Sequence, residues 1–529
     1  MLYILSVSAC NIDQLEFQNV ELETYRAEHA SSLGFFSYTA EQLFVDAGMA
    51  EELEIDGENG LSLVYRDTAE YSNIIDLVNI NDIVNSEAIN LPIANAPAEL
   101  LEIPLSEEIT MEYQPENDEA VDSVVHESGE LVLEISSNLG NPDLIIIYDF
   151  KIENTVNSVT DQPVQFTGSF PSNSPQTQEQ DLSGYSSFFE NIDNKNLFSL
   201  LFESTLILPI GSEIPLNSYL DFTLTYQNQV FSEVYGFFGQ DTLEVSNQIV
   251  NTDFFSELSS GIEFENPMIS LTFENSYGVP FSTDFSSIYG VSESEVNNLS
   301  GDITENIQFI EGPTVQNYHL NGSIDLVETS SVMITSSNSN IRDLISSSPS
   351  EIGFNITAYT NPIDESRRNY ITNQASIKTF FEMILPMSLQ LNDVTRSKDF
   401  SYESLPVEDL DSGFLHINTS NGLPLYVSLK IQIRSDDLVI HEVPDNLVLA
   451  TPYINTDGSI AEPIENTTDI ILGKAGLDSL KSGNNINLLM TFNTPKTLNN
   501  QDIYVKILAD QQVVVNLGIG GRFDKNLNF

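Results

Sequence analysis

The chain is 529 residues long and 41% hydrophobic, which gives room for about three to four domains with real cores and argues against wholesale disorder. Asp and Glu number 79 against 18 Lys and Arg, a formal charge of −61, so nucleic acid and anionic lipid headgroups are poor direct partners. One cysteine leaves no intrachain disulfide, and no apolar run is long enough to span a bilayer as a helix.

In chain order, Leu2–Val7 is a short apolar stretch, closed by the small residues Ser8 and Ala9 before Cys10. Residues 11–125 hold 26 acidic and two basic residues, a large part of the total imbalance. The first portion reads as an acidic tether or edge segment. Thr39-Ala40-Glu41-Gln42 has the capping-box pattern, and Leu43, Phe44 and Ala47 supply one apolar face, which predicts a short helix ending near Ala50. A turn at Asp56–Gly60 precedes the alternating Leu61, Leu63 and Tyr65 of a strand.

Beyond residue 125 one unit recurs. Leu415 and Ile417 alternate up to Ser420–Pro424, after which Leu425, Val427, Leu429, Ile431 and Ile433 line one face. Period two on both sides of an Asn-Gly break predicts two antiparallel strands in a hairpin. Earlier copies run through Leu131–Ile152 and Ile269–Phe281, and the turn glycines Gly140, Gly278 and Gly422 lie 138 and 144 residues apart. A second echo links 340–362 to 476–495: a short helical or turn segment, a strand, then Asn-Pro or Thr-Pro. These spacings predict divergent tandem β-sandwich modules over 126–250, 251–398 and 399–529. The Ser-, Gln- and Pro-rich stretch Asp161–Gly184 reads as an exposed loop, and Ile503–Ile507 against Val513–Ile519 as a closing hairpin. The fold expected is all-β, in tandem antiparallel sandwiches, with a small acidic N-terminal region carrying one short helix.

Chemistry is sparse. His29, His126, His319, His416 and His441 are scattered and form no metal-binding pair. No nucleophile elbow appears, and Gly518–Gly521 is followed by no helix that would make it a phosphate loop. Glu54, Asp56 and Glu58 offer hard oxygen ligands at alternating positions, but they lack the full calcium-loop register and read better as an acidic turn. A carboxylate pair for glycoside hydrolysis cannot be singled out among so many acids. The residues therefore point to no catalytic group, no metal site and no cofactor.

Val7-Ser8-Ala9-Cys10 resembles the lipobox of bacterial lipoproteins, and residues 1–10 then read as the end of a signal peptide. The basic n-region and longer apolar core of such a leader are missing, so either the native start lies upstream or the stretch is no signal but a buried N-terminal strand with an inert cysteine. Together with LSLVYRD (Leu61–Asp67), NSYGVP, SNGLP and the closing VKILADQQVVVNLGIG, this resembles large β-rich outer-membrane lipoproteins of Bacteroidota. The resemblance implies that Cys10 is lipidated and anchors the chain to the outer membrane, with the leaflet open. It also implies a non-enzymatic interaction or assembly subunit whose partners are outer-membrane proteins or other envelope components. The alternatives are a surface module capturing glycan or protein for a transporter, and a hydrolase whose acids hide in the acidic background.

Overall fold

The computed structural model describes residues 25–525, apart from 47–48, 73–81, 114–119, 194, 241, 253–254, 256–260, 293–294, 315–325, 363–366, 403–411, 444–446 and 497–502. The fold is all-β with few helices, and all the strand pairings described are antiparallel. The chain divides into two compact units: Met1–Val64 with Asp253–Pro267 and Leu385–Phe529, and Tyr65–Thr252 with Met268–Ile384.

The first of these units is built on a sandwich. One layer runs in the order Tyr25–Thr39, Gln512–Lys525, Ser412–Asn421, Ile464–Leu472. The other runs Val394–Ser401, Asn485–Asn493, Tyr426–Ser435, with Leu438–Glu442 and Leu447–Leu449 both paired to the last of these. Strict alternation buries Val427, Leu429, Ile431 and Ile433 while Ser428, Lys430 and Gln432 lie further out. Tyr38 of one layer stacks on Phe492 of the other, with centroids 6.1 Å apart. The helix Lys474–Ser482 crosses between the layers and buries Leu477 and Leu480.

The other unit contains the same wiring twice. In the sandwich built mainly from residues 242–386 one layer holds Leu53–Ile55, Leu61–Tyr71, Ile377–Pro386, Met268–Asn275 and Glu328–Thr335 in that order. The second layer holds Thr242–Asn251, Glu351–Thr360 and Phe281–Val291, with Val296–Asn298 and Gln308–Ile310 on the last. Helix Ile341–Ser346 occupies the place of Lys474–Ser482. In residues 83–237 the corresponding layers are Ile83–Asn90, Tyr219–Phe237, Ala120–Ser137, Gln176–Asp181 and Leu101–Tyr113, Lys195–Leu208, Ile145–Asn157, Pro163–Pro171. Here Tyr185–Phe188 stands where the helix would be. It pairs with both Ala120–Ser137 and Ile145–Asn157, which joins the layers into one 11-stranded sheet. Phe150 and Phe202 meet Phe222 across the core. Each sandwich thus takes its outermost strand of one layer from the region before residue 91, in reverse chain order.

The recurrent unit is not a hairpin. Ser412–Asn421 and Tyr426–Ser435 belong to different layers, as do Met268–Asn275 and Phe281–Val291. The chain arches over the core because the turn residues Leu423 and Leu425 are themselves buried. Asn421 fastens the arch: Oδ1 accepts the Leu423 amide at 3.1 Å, while Nδ2 donates to the carbonyls of Leu425 and Ala450 at 2.9 and 3.0 Å. Asn275 repeats this with the Tyr277 amide and the carbonyls of Val279 and Glu311. In the sandwich of residues 83–237, first in chain order, with that of 242–386 second and that of the other unit third, Ser137 substitutes, accepting from the Leu139 amide and donating to the Ser172 carbonyl.

Two further expectations are corrected. Asp161–Gly184 is not a loop: it carries the strands Pro163–Pro171 and Gln176–Asp181. Val164, Phe166 and Phe170 are buried between polar outward residues, and the outer polarity masked the alternation. Val505–Lys506 pairs with Ser388–Leu389, whereas Gln512–Lys525 pairs with Ser412–Asn421 and Tyr25–Thr39, so no closing hairpin forms. The capping box is present: Thr39 accepts from the Gln42 amide at 3.2 Å and Gln42 from the Thr39 amide at 3.0 Å, starting helix Ala40–Val45.

Candidate functional site

Cys10 and His319 lie outside the described residues. His29 sits in the strand Tyr25–Thr39. His416 is half-exposed, its Nδ1 2.6 Å from Asp469 Oδ1 on the neighbouring strand. His441 belongs to the short strand Leu438–Glu442. The acidic turn ties itself: Asp56 Oδ1 accepts the amides of Glu58 and Gly60 at 2.8 and 2.7 Å, and these bonds lower its pKa. Among the described residues no group of three or more His, Cys, Asp or Glu gathers to hold a metal ion.

Among the histidines whose side chains are described, His126 is the one fully enclosed by the fold. Its Nε2 lies 2.9 Å from Ser187 Oγ, which is 2.9 Å from Thr155 Oγ1, which in turn is 3.3 Å from Tyr226 Oη. The first two atoms have the geometry of a base and a nucleophile, but Ser187 and His126 are 0% and 1% exposed. Burial drives the His126 pKa down to about 4, well below the range where a general base works at neutral pH. The serine is closed to solvent, and the chain of hydroxyls gives partners to polar groups that the joining strand Tyr185–Phe188 carries into the core.

A surface hollow with room for a ligand lies on the first sandwich. A hollow of about 690 Å³ spans the layer formed by Leu101–Tyr113, Lys195–Leu208, Ile145–Asn157 and Pro163–Pro171. Strand register sets its outward rows. Pro104, Thr205, Ile147 and Ser169 form one row; Ser106, Glu203, Asp149 and Thr167 form the next. Asp149 faces Glu203 across neighbouring strands, a like-charge pair that costs stability unless something offsets it. Gln165 supplies part of that, its Nε2 donating to both Asp149 oxygens at 2.7 and 2.8 Å. Ile147 stays 44% exposed beside them. The arrangement suits an extended, partly apolar ligand segment edged by hydroxyl or amine groups.

This layer is continuous with an apolar end of the same sandwich, formed by the segments before Leu101–Tyr113 and after Lys195–Leu208. Neither the hollow nor the end was singled out from sequence. The legible signal was a dense run of Leu, Ile, Ala and Pro with few charges, at 91–101 and 208–216, in an otherwise acidic chain.

No family model matches the chain, and no curated protein matches it. Among solved structures, a protein described as secreted from Parabacteroides distasonis aligns at 12% identity and a TM-score of 0.32, over 53% of this chain and 82% of that one. A cowpea mosaic virus capsid particle aligns at 9% identity and a TM-score of 0.14, over 55% of this chain and 92% of that one. Neither likeness reaches the level at which a shared fold follows. No helix among the described residues is long and apolar enough to cross a membrane.

Proposed function

We propose that the chain is a non-enzymatic interaction or assembly subunit of the bacterial outer membrane, held there by acyl chains on Cys10. The carrying observation is how polar groups are used in the sandwiches. The buried ones close turns, layers and module joints, while exposed apolar side chains occur on every sandwich and include Ile93, Leu100, Ile210 and Leu216 on two hydrogen-bonded segments at one end of the first. The anchor has a physical motive. A body of charge −61 is repelled by anionic headgroups, so attachment has to come from buried methylenes, at about 0.8 kcal/mol each. A single chain holds only marginally, and stable anchoring needs two signals. Expressed with its native leader, the wild type should sediment with membranes and its mature N-terminus should be a modified Cys10. Cys10→Ser should be soluble or retain its leader. An unmodified Cys10 thiol in membrane-purified protein would end the anchoring reading.

The hollow over Ile147, Asp149 and Glu203 favours a second reading, capture of a glycan or peptide for a neighbouring transporter. It is tested by isothermal titration of envelope glycans and extended peptides against the wild type and Ile147→Arg. Binding lost in the variant would favour capture over assembly.

A further inference from the structure

The end of the first sandwich is formed by two segments zipped to each other. The Ala94 amide donates to the Ile214 carbonyl at 3.2 Å and the Ile214 amide to the Ala94 carbonyl at 2.8 Å. Leu91 is tied to Ser218, and Gly211 to Pro97, in the same way. Ile214 is 1% exposed and pins the pair to the core. These bonds hold the segments in place before any partner arrives. What they present outward is aliphatic: Ile93, Leu100, Leu101, Ile210 and Leu216 are 64, 61, 39, 69 and 71% exposed. Isolated exposed aliphatics are ordinary, but several on two hydrogen-bonded segments form the kind of patch that marks interaction sites.

The wiring says what such an end is for. In the second sandwich the equivalent connection follows Glu351–Thr360 through Asn361-Pro362, just as Leu208-Pro209 follows here. That connection docks: Asn369–Thr372 pairs with Glu233–Gly236 of the first sandwich. Asn361 and Asn369, 1% and 0% exposed, exchange two 2.9 Å hydrogen bonds, and Asn361 also donates to the Gly239 carbonyl at 2.8 Å. The corresponding connection of the first sandwich, Pro209–Ser218, bears apolar side chains to solvent instead.

We infer that this end, carried by 91–101 and 209–218, docks a partner protein whose apolar surface is bordered by Lys or Arg. Glu99, Glu102 and Glu213 flank the patch, and 91–102 and 209–218 contain no Lys or Arg, so a basic border is the complementary one. A bilayer is disfavoured because this end lacks the Trp, Tyr, Lys and Arg that anchor at headgroup depth. A second copy is disfavoured because it brings another −61 charges. The inference deepens the interaction-subunit reading and does not depend on the anchor.

The test places a photoreactive benzophenone amino acid at Ile210, Leu216 or, as a control, the 91%-exposed Val159 in the full chain in its native envelope. The expected result is one protein crosslinked from Ile210 and Leu216 but not from Val159. Once purified, it should bind the wild type at least tenfold more tightly than the Ile210→Ser/Leu216→Ser variant, with weakening as salt rises. Both residues are exposed, so the melting temperature should not move. Three results would overturn the inference: no position-specific crosslink, binding to phosphatidylcholine vesicles lost in the variant, or self-association of the wild type in sedimentation lost in the variant. Loss of membrane association in Cys10→Ser with the crosslink intact would confine failure or success to the anchor alone.

Discussion

The first and third sandwiches share a wiring and differ in how they close it. The third keeps its layers separate, bridges them with helix Lys474–Ser482, and fastens its arch with Asn421, which makes three hydrogen bonds. The first replaces the helix with Tyr185–Phe188, fuses the layers, and fastens its arch with Ser137, which makes two. A strand inserted between layers brings its polar groups into the core, where the third sandwich has aliphatic packing. His126, Thr155 and Tyr226 are there to meet Ser187. One chain topology thus tolerates an apolar or a polar closure, and the polar one makes the first sandwich sensitive to acid.

The comparison breaks most visibly at its aromatic centre. Phe222→Ala should cost about 3–5 kcal/mol by removing the ring that Phe150 and Phe202 pack against. Hydrogen exchange should report the loss in Ala120–Ser137 and Tyr219–Phe237 while Ser412–Asn421 keeps its protection. Equal loss in all of these strands would mean that the sandwiches do not have separate cores.

Acid should separate the two next. His126 is held neutral in the fold with a pKa near 4, against 6.5 for the free side chain. Between those values the unfolded chain binds more protons than the folded one, so stability is full above about pH 6.5 and falls as pH drops toward 4. The shift corresponds to roughly 3 kcal/mol over that window, at about 1.4 kcal/mol per pH unit. Denaturant melts at pH 7 and 4.5 should show this for the first sandwich, and His126→Gln should flatten the pH dependence over that range. An unchanged slope in the variant would remove His126 as its source.

The arches sharpen the contrast further. Asn421→Ala leaves the carbonyls of Leu425 and Ala450 and the Leu423 amide without their partner and should cost about 2–3 kcal/mol. Ser137→Ala, with fewer bonds to lose, should cost about 1–2 kcal/mol. Reversal of that order in urea melts would show that the Asn arch is not the tighter one. The smallest effect is expected at the edge of the third sandwich, where Thr39→Ala removes the cap of Ala40–Val45 at about 1 kcal/mol.

Much of the fold was legible in the residues. Alternation marked Tyr426–Ser435 and Ile145–Asn157 as half-buried strands, and Thr39 and Gln42 marked a helix start, because both signals are local. The recurrence of the turn after Asn421 and Asn275 was visible too. Its meaning was not. Whether two successive strands pair or face each other depends on where the intervening Leu423 or Tyr277 is buried, and alternation is the same in both cases. The strands in Asp161–Gly184 were missed because their outward positions are as polar as a loop. The apolar end was missed because exposure is a property of what packs against a residue: Ile93 and Ile214 are the same residue type, one 64% and the other 1% exposed.

By itself the sequence determined the fold class, the strongly acidic composition, and the local strand and helix signals. These rest on composition and on side-chain periods of two or 3.6, which act over a few residues. Only the tertiary structure decided that the recurring turn is an arch and that strands from before residue 91 complete each sandwich. It alone buried His126 against Ser187 and left Ile210 and Leu216 in solvent. Those outcomes depend on contacts between residues tens to hundreds of positions apart, and period and composition carry no record of which distant strand will arrive beside a given one.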